Sequence, residues 1–263
     1  MVMDQDRVVV ITGVTGNLGG AFARFFVQKG FKVAGLDLDE DRINSLSNEW
    51  SDGDFQLFKG FVCDITDLEQ CKKTFDDIQN ELGPIYMLIN NAGITHIQRY
   101  LETADPIRIT QKVMDVNFMG SVHCTHLSLP SLIHQKGIVI TISSVAGFAP
   151  LLGRSAYSAS KHALHGFFES LDAELDDLQF IMVCPGFISV NEQKRSNAAI
   201  HQKKKVIGPE VLPDEIVQIT WRAIQKGKKL VTCGRTATLS YLIRRFIPSF
   251  YFKRMKANLS KEL

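Results

Sequence analysis

Apolar residues fall along this chain in short runs separated by stretches of helical spacing. "RVVVITG", residues 7–13, is a β-branched run closed by glycine, the pattern of a strand buried on both faces. "LGGAFARFFVQKG" then carries apolar residues at helical spacing and stops at Gly30, after which "FKVAGLD" reads as a second strand. The pattern repeats. "FQLFKGFVCDI" and "IYMLINNAG" predict strands three and four, with "DLEQCKKTFDDIQNEL" as an amphipathic helix between them. "PIRITQKVMDVNFMGSVHCTHLSLPSLI" predicts a long helix leading to the strand "GIVITISS", and a helix carrying Tyr157 precedes the strand "FIMVCPG". Pro213 and Asp214 open a last helix before the strand "LVTCG". Strands alternating with helices of this length predict an α/β fold with a doubly wound parallel sheet covered on both faces.

Composition narrows the class. The chain has 263 residues, enough for one large α/β domain, and its 45% hydrophobic and 22% charged content sets disorder aside. The net charge of +2 conceals an asymmetry: after Trp221, eleven lysines and arginines stand against Glu262. Something anionic can meet that end. The segment "FISVNEQKRSNAAIHQKKKVIG" is polar and basic and reads as a substrate flap or as a solvated surface loop. The expected organisation is one domain over residues 1–235, with the flap at about 187–208, and a basic aromatic tail at 236–263. "MVMDQDR" has no secretory pattern, so a cytoplasmic location is expected. No apolar run approaches the about 20 residues that cross a bilayer. Five cysteines form no C-x-x-C pair, and His123 beside Cys124 lacks further ligands, so buried free thiols and no metal are expected.

"TGVTGNLGG", residues 12–20, joins the first strand to the first helix. Glycines there permit a tight turn and close approach of a pyrophosphate to backbone N–H groups and the helix N-terminus. Gly13, Gly16 and Gly19 fit G-x-x-G-x-x-G; in T-G-x-x-x-G-x-G, Asn17 takes the middle glycine position, where asparagine tolerates left-handed backbone. A structural turn is the bland alternative to dinucleotide binding. Asp37 ends the second strand where an acid would accept bonds from the adenosine ribose and repel a 2′-phosphate. No cation follows it in "DLDED", which favours NAD(H) over NADP(H); Asp39, Glu40 and Asp41 read as the cap of the next helix.

"SAYSASKHALHGFFES" sets Tyr157 and Lys161 four positions apart, on one face of a helix. Together with "TGVTGNLG", "NNAG" at 90–93, Asn117, Ser144 thirteen positions before the tyrosine, and Pro185-Gly186, this order of motifs resembles the short-chain dehydrogenase/reductase family, single-domain branch, over residues 7–190. The resemblance implies a single-domain Rossmann-type fold and a catalytic tetrad of Asn117, Ser144, Tyr157 and Lys161. In it Tyr157 is the general base for an alcohol proton, and a nearby ammonium favours its phenolate over the free phenol of pKa about 10. Lys161 also bonds the nicotinamide ribose, Ser144 the substrate oxygen, and Asn117 holds a water that returns the proton to solvent. Family spacing selects Ser144 over Ser143. The resemblance further implies cofactor contacts from Gly13, Val14, Thr15, Gly16, Asn17 and Leu18, from Asp37, from Asp64 and Ile65 near adenine, from Asn91, Ala92 and Gly93 along the ribose, and from Pro185, Gly186 and Ile188 near nicotinamide. Asn90 is expected to brace the sheet. The family often has a threonine after Pro-Gly-x-x-x; here Val190 and then Asn191 stand there.

The expected activity is hydride transfer between NAD(H) and a small-molecule secondary alcohol or ketone, apolar and lipid-, steroid- or acyl-like. An extended-branch nucleotide-sugar epimerase or dehydratase and a non-catalytic NAD(H) sensor are the alternatives. The tail sets Tyr241, Leu242, Ile243, Phe246, Ile247, Phe250, Tyr251 and Phe252 among cations. Such a tail suits membrane-peripheral contact, closure of the substrate pocket or a subunit interface, with Pro248 interrupting a single helix. "HALHGFFESLDAEL" is apolar on more than one face, which predicts a homodimer or homotetramer. The lysines lack a nucleic-acid-binding motif, so no nucleic acid is expected.

Overall fold

The β-branched run Val8–Thr12 forms β1, with all five residues buried. Alternate side chains explain why the run is apolar throughout: Val9 and Ile11 pack on one face, Val8 and Val10 on the other. A computed structural model describes residues 6–48, 57–189, 199–200 and 210–262. In chain order follow α1 (Asn17–Gln28), β2 (Lys32–Asp37), α2 (Glu40–Asn48), β3 (Phe58–Val62), α3 (Leu68–Leu82), β4 (Ile85–Asn90) and β5 (Thr95–His96). Then come α4 (Pro106–Met114), α5 (Gly120–Gln135), β6 (Ile138–Ile142), α6 (Ser155–Glu174), β7 (Gln179–Pro185) and β8 (Phe187–Ile188). The chain continues through β9 (Ala199–Ile200), β10 (Glu210–Val211), α7 (Pro213–Gln225), β11 (Leu230–Cys233), α8 (Arg235–Phe246) and α9 (Pro248–Glu262).

Seven strands form one parallel sheet in the order β3-β2-β1-β4-β6-β7-β11, the Rossmann-type doubly wound arrangement expected from the alternation. On one face α1 and α7 bury Phe22, Phe26, Val217 and Ile224; on the other α3, α5 and α6 bury Phe75, Ile78, Leu132, Leu164 and Phe168. The winding reverses between β1 and β4, which opens a crevice at the carboxyl ends of those strands.

Local differences have local causes. The third strand ends at Val62 rather than at Ile65, where the Asp64 carboxylate turns the chain by accepting Thr66 N–H at 2.9 Å and Thr66 Oγ1 at 2.7 Å; residues 55–56 of the predicted run lie outside the described residues. Asp39 accepts Arg42 N–H at the start of α2, as its capping position predicts. The long helix is continuous but carries a π turn over Asp115–Met119 between α4 and α5. Pro248 does divide the tail, and α9 is tied down by the Tyr251 hydroxyl, which donates to Ala149 O at 3.1 Å and Pro150 O at 3.0 Å. Of the flap, β8 pairs with β10 and β9 pairs with β5; residues 190–198 and 201–209, Val190 and Asn191 among them, lie outside the described residues. The cysteines are free and buried. Among the described residues no helix is long and apolar enough to cross a membrane.

Candidate active site

The first strand ends at Thr12, whose hydroxyl accepts the N–H groups of Asn91 and Ala92, both at 3.0 Å. The Asn91 amide donates back to Thr12 O at 2.9 Å and Gly13 O at 3.1 Å. The glycine-rich loop is thereby stitched to the end of β4. Gly13 has φ +66°, and a Cβ there would meet Ala92 Cα at 2.8 Å, so only glycine fits. Gly19 is needed for packing, since its Cβ would stand 2.2 Å from Gly13 O. Asn17 is not left-handed: it opens α1, and Lys136 is the single non-glycine residue with positive φ among those described. The expectation that asparagine is tolerated for its left-handed freedom is therefore corrected. It stands where an ordinary helical residue stands.

This loop fits a dinucleotide. The first turn of α1 has no capping side chain and no acid, so its N–H groups and the helix dipole face the crevice without an internal counter-charge. Asp37 is half-buried at the end of β2; its Oδ2 accepts Thr15 N–H at 3.0 Å and Thr15 Oγ1 at 2.7 Å, and its Oδ1 accepts Leu38 N–H at 2.8 Å. Val14 is buried, with its N–H bonded to Leu36 O, and Leu18 is buried in α1, so their side chains build the loop from beneath. Ile65 is likewise buried, packed over Gly120, with its carbonyl against His123 Nδ1 at 3.0 Å. Asn90 braces the sheet to α5 through Thr125 Oγ1 at 2.9 Å.

Toward β6 lie the tetrad positions. Asn117 sits in the π turn, where Gly120 N–H bonds to Asp115 O five residues back. Its amide is largely occupied: Oδ1 accepts Ile94 N–H at 2.7 Å, and Nδ2 donates to Ile94 O at 3.0 Å and Ser160 Oγ at 2.9 Å. Both amide protons are used, which makes Asn117 a clamp between the β4 exit and α6. Gly93 lies between it and Lys161; a Cβ on Gly93 would stand 3.2 Å from Asn117 Oδ1 and 3.6 Å from Lys161 Nζ.

Ser144 accepts Ala146 N–H at 3.2 Å at the head of a short 3₁₀ turn, Val145–Gly147, and its hydroxyl acts to lower the pKa of the Tyr157 phenol. The neighbouring Ser143 points elsewhere, to His165 Nε2 at 3.0 Å. Lys161 Nζ lies 5.7 Å from the Tyr157 ring centroid and donates to Ile142 O at 2.8 Å. Burial holds the Tyr157 phenol above its ordinary pKa; the Ser144 hydroxyl and the Arg154 guanidinium oppose that shift. Burial pushes Lys161 down to about 8. The groups that lower the phenol are thus Ser144 and Arg154. Arg154, one turn before Tyr157, also lies over the Phe187 ring at 5.7 Å, just after Gly186, and composition gave no signal for it. Gly186 N–H bonds Cys233 O, and Ile188 packs partly buried beside it.

Beside the N-terminus of α6 opens a cavity of about 420 Å³ lined by Arg99, Tyr100, Pro150, Leu151, Leu152, Gly153, Ser155, Ser158 and Met255. The tail supplies Met255 from α9, so its inward face borders this cavity.

A family model described as short chain dehydrogenase matches residues 7–201. The chain is 33% identical over 273 residues to Dehydrogenase/reductase SDR family member 7B of Xenopus tropicalis, covering 98% of this chain and 87% of that protein. It is 33% identical over 225 residues to 11-beta-hydroxysteroid dehydrogenase-like 2 of Arabidopsis thaliana, covering 84% of this chain and 70% of that protein. A short chain dehydrogenase from Burkholderia cenocepacia, solved in complex with NADP, superposes with a TM-score of 0.80 at 25% identity, covering 96% of this chain and 99% of that one. A Burkholderia phymatum homologue in complex with NAD superposes with a TM-score of 0.78 at 21% identity, covering 93% and 94%. With the ordered glycine-rich loop, the Ser144–Tyr157 pair and this match in hand, the chain belongs to the short-chain dehydrogenase/reductase family of oxidoreductases.

Proposed function

We propose that this oxidoreductase uses NAD(H) to interconvert an apolar secondary alcohol and its ketone, with steroid-like compounds as the leading substrate class. The observation that carries the reading is the placement of Lys161 one helical turn beyond Tyr157, its Nζ 5.7 Å from the phenol ring, together with a glycine-rich loop that leads into a helix N-terminus capped by no side chain. The nicotinamide group, when bound, accepts or supplies the hydride. Tyr157, held protonated by burial, is suited to give its proton to a ketone oxygen and to take it back from an alcohol. Ser144 donates to that oxygen and stabilises its developing charge. Lys161, which gives one ammonium proton to Ile142 O, would hold the cofactor ribose with the others, and Asn117 would hold a water on the path that returns the proton to solvent. The backbone from Gly13 to Leu18 would hold the pyrophosphate and Asp37 the adenosine ribose, Asp64 and Ile65 would lie near adenine, Asn91 to Gly93 along the ribose, and Pro185, Gly186 and Ile188 near nicotinamide. A half-exposed carboxylate at Asp37 favours NAD(H) over NADP(H), because it would repel a 2′-phosphate.

The hydroxysteroid name of the Arabidopsis relative and the apolar lining from Tyr100, Pro150, Leu151, Leu152 and Met255 support the substrate class. The edge-to-face pair Phe118–Phe167, with half-buried Leu127 and Leu171 on the same two helices, supports a homodimer or homotetramer built on α5 and α6. The exposed apolar residues of α8 and α9 among cations support peripheral contact with a membrane.

The test is a screen of an 11β-hydroxysteroid and 1-phenylethanol with NAD+ and NADP+, and of their ketones with NADH and NADPH. Tyr157→Phe should lower kcat on the order of 10²–10⁴-fold while NADH still binds. Turnover that survives Tyr157→Phe would sink the assignment. Tight NADH binding without turnover of any alcohol would favour a cofactor sensor.

A further inference from the structure

His165 is largely covered in α6 two turns beyond Tyr157, with 13% of its side chain exposed, and it meets three segments at once. Its Nε2 lies 3.0 Å from Ser143 Oγ, at the end of β6 and next to Ser144. The same nitrogen lies 3.8 Å from Cys184 Sγ, at the end of β7 and next to Pro185-Gly186. Its Nδ1 lies 3.2 Å from Glu169 Oε1, one turn on along α6. A carboxylate only accepts, so Glu169 fixes the proton on Nδ1 and leaves Nε2 to accept from Ser143. Burial, which lowers the pKa of the imidazole, keeps it in that neutral form.

Serine, histidine and glutamate in this order resemble a hydrolytic triad, but the serine is covered. Ser143 is 2% exposed, and a Cβ on Gly147 would stand 2.5 Å from Ser143 Oγ and 2.7 Å from His165 Nε2. The Val145–Gly147 turn therefore rests directly on the Ser143–His165 pair. That turn is headed by Ser144, whose side chain accepts Ala146 N–H and whose hydroxyl acts to lower the pKa of the Tyr157 phenol. We propose that His165 is a positioning residue: it fastens the ends of β6 and β7 to the helix that bears Tyr157 and Lys161, and so fixes the Ser144 hydroxyl against the phenol. The inference rests on the reading of Ser144 and Tyr157 as the reacting pair.

The test compares His165→Leu, which removes the ring nitrogens, with His165→Gln, whose amide can still accept from Ser143, each made alone and with Ser144→Ala. The assay is NADH-linked reduction of acetophenone and of the 11-ketosteroid. In His165→Leu kcat should fall about tenfold with the KM for NADH unchanged, His165→Gln should restore most of it, and His165→Leu should cost nothing further once Ser144 is alanine. Losses that multiply in the Ser144→Ala background, or an unchanged kcat in His165→Leu, would overturn the proposal. Because Glu169 is on the surface, Glu169→Gln tests the same arrangement if His165→Leu fails to fold, and should give a smaller loss of kcat that also vanishes with Ser144→Ala. Should no ketone be turned over, the phenolate absorbance of Tyr157, taken as the difference from Tyr157→Phe partners, decides: His165→Leu should raise the phenol pKa as Ser144→Ala does, and an unmoved titration refutes the idea. A wild-type activity that survives Tyr157→Phe would instead bring down the underlying function.

Discussion

Thr15 and Asp37 are joined twice, through the Thr15 N–H at 3.0 Å and its hydroxyl at 2.7 Å, both to Asp37 Oδ2. The residue that would select the cofactor also anchors the loop that would hold its phosphates. Two substitutions separate these roles. Asp37→Ala should weaken NADH about tenfold, the scale of one lost charged hydrogen bond, and should reverse or equalise the preference over NADPH. Thr15→Val leaves the carboxylate in place and should weaken both cofactors alike. Fluorescence titration with each dinucleotide checks the pair; tighter NADPH binding by the wild type would contradict the role given to Asp37.

Adjacent glycines of α1 should respond in opposite directions. A Cβ at Gly19 would stand 2.2 Å from Gly13 O and 2.9 Å from Asn91 Nδ2, whereas one at Gly20 would find its nearest atom, Val14 O, at 3.5 Å. Gly19→Ala should therefore cost about 3 kcal/mol and abolish NADH binding as the loop is displaced. Gly20→Ala should gain up to about 1 kcal/mol from helix propensity. Denaturant unfolding and NADH titration of both variants check the contrast.

Much of this was legible because the information is local. The alternation along Val8–Thr12 and the helical spacing after Gly16 depend on near neighbours, and the order of motifs placed Ser144 and Tyr157 in one site before any geometry was known. What stayed hidden depends on pairs far apart in sequence. Asn117 offers a free amide on paper, yet both its protons are spent on Ile94 and Ser160. Lys161, one turn from Tyr157, also donates to Ile142 O, a partner nineteen residues away that spacing does not name. The roles of Thr12 in stitching β1 to β4, and of His165 in joining Ser143 to Cys184, come from contacts that spacing does not encode. The β3 strand ended early because an Asp64 turn outcompeted the apolar run.

Lys161 sets a pH dependence of stability with a definite sign. Its pKa falls from 10.5 to about 8 on folding, so between those values the unfolded chain binds more protons and stability rises with pH. The contribution between pH 7 and 9 is about 1 kcal/mol. Cys63, Cys71, Cys184 and Cys233 act oppositely, since burial and neighbouring groups raise their thiols from 9.0 and stability is lost as the unfolded thiols ionise above that pH. The difference between wild type and Lys161→Met isolates the lysine from the thiols. Urea unfolding of both proteins from pH 7 to 9 should show the wild type gaining on the variant as pH rises; parallel curves would mean that Lys161 is not desolvated.

The two faces of the tail hairpin differ in chemistry. Tyr251 and Met255 turn inward, to Ala149, Pro150 and the cavity, while Phe246 is 72% exposed, Ile247 57% and Phe250 47%, with Leu239 and Leu242 on the same outer face of α8. Exposed Arg245, Lys253, Arg254 and Lys256 flank them, and Glu262 is the only acid after Trp221. Apolar side chains that enter the acyl boundary, with cations at headgroup level, suit an anionic bilayer surface. Flotation with phosphatidylcholine vesicles containing phosphatidylserine should carry the wild type upward, less so as salt is raised, and Phe246→Ser with Phe250→Ser should abolish it. The same double variant should keep its NADH affinity, because neither residue borders the crevice. Binding to neutral vesicles of equal strength would remove the electrostatic half of the argument, and loss of a dimer in the double variant without any vesicle binding by the wild type would assign this face to a second copy of the chain.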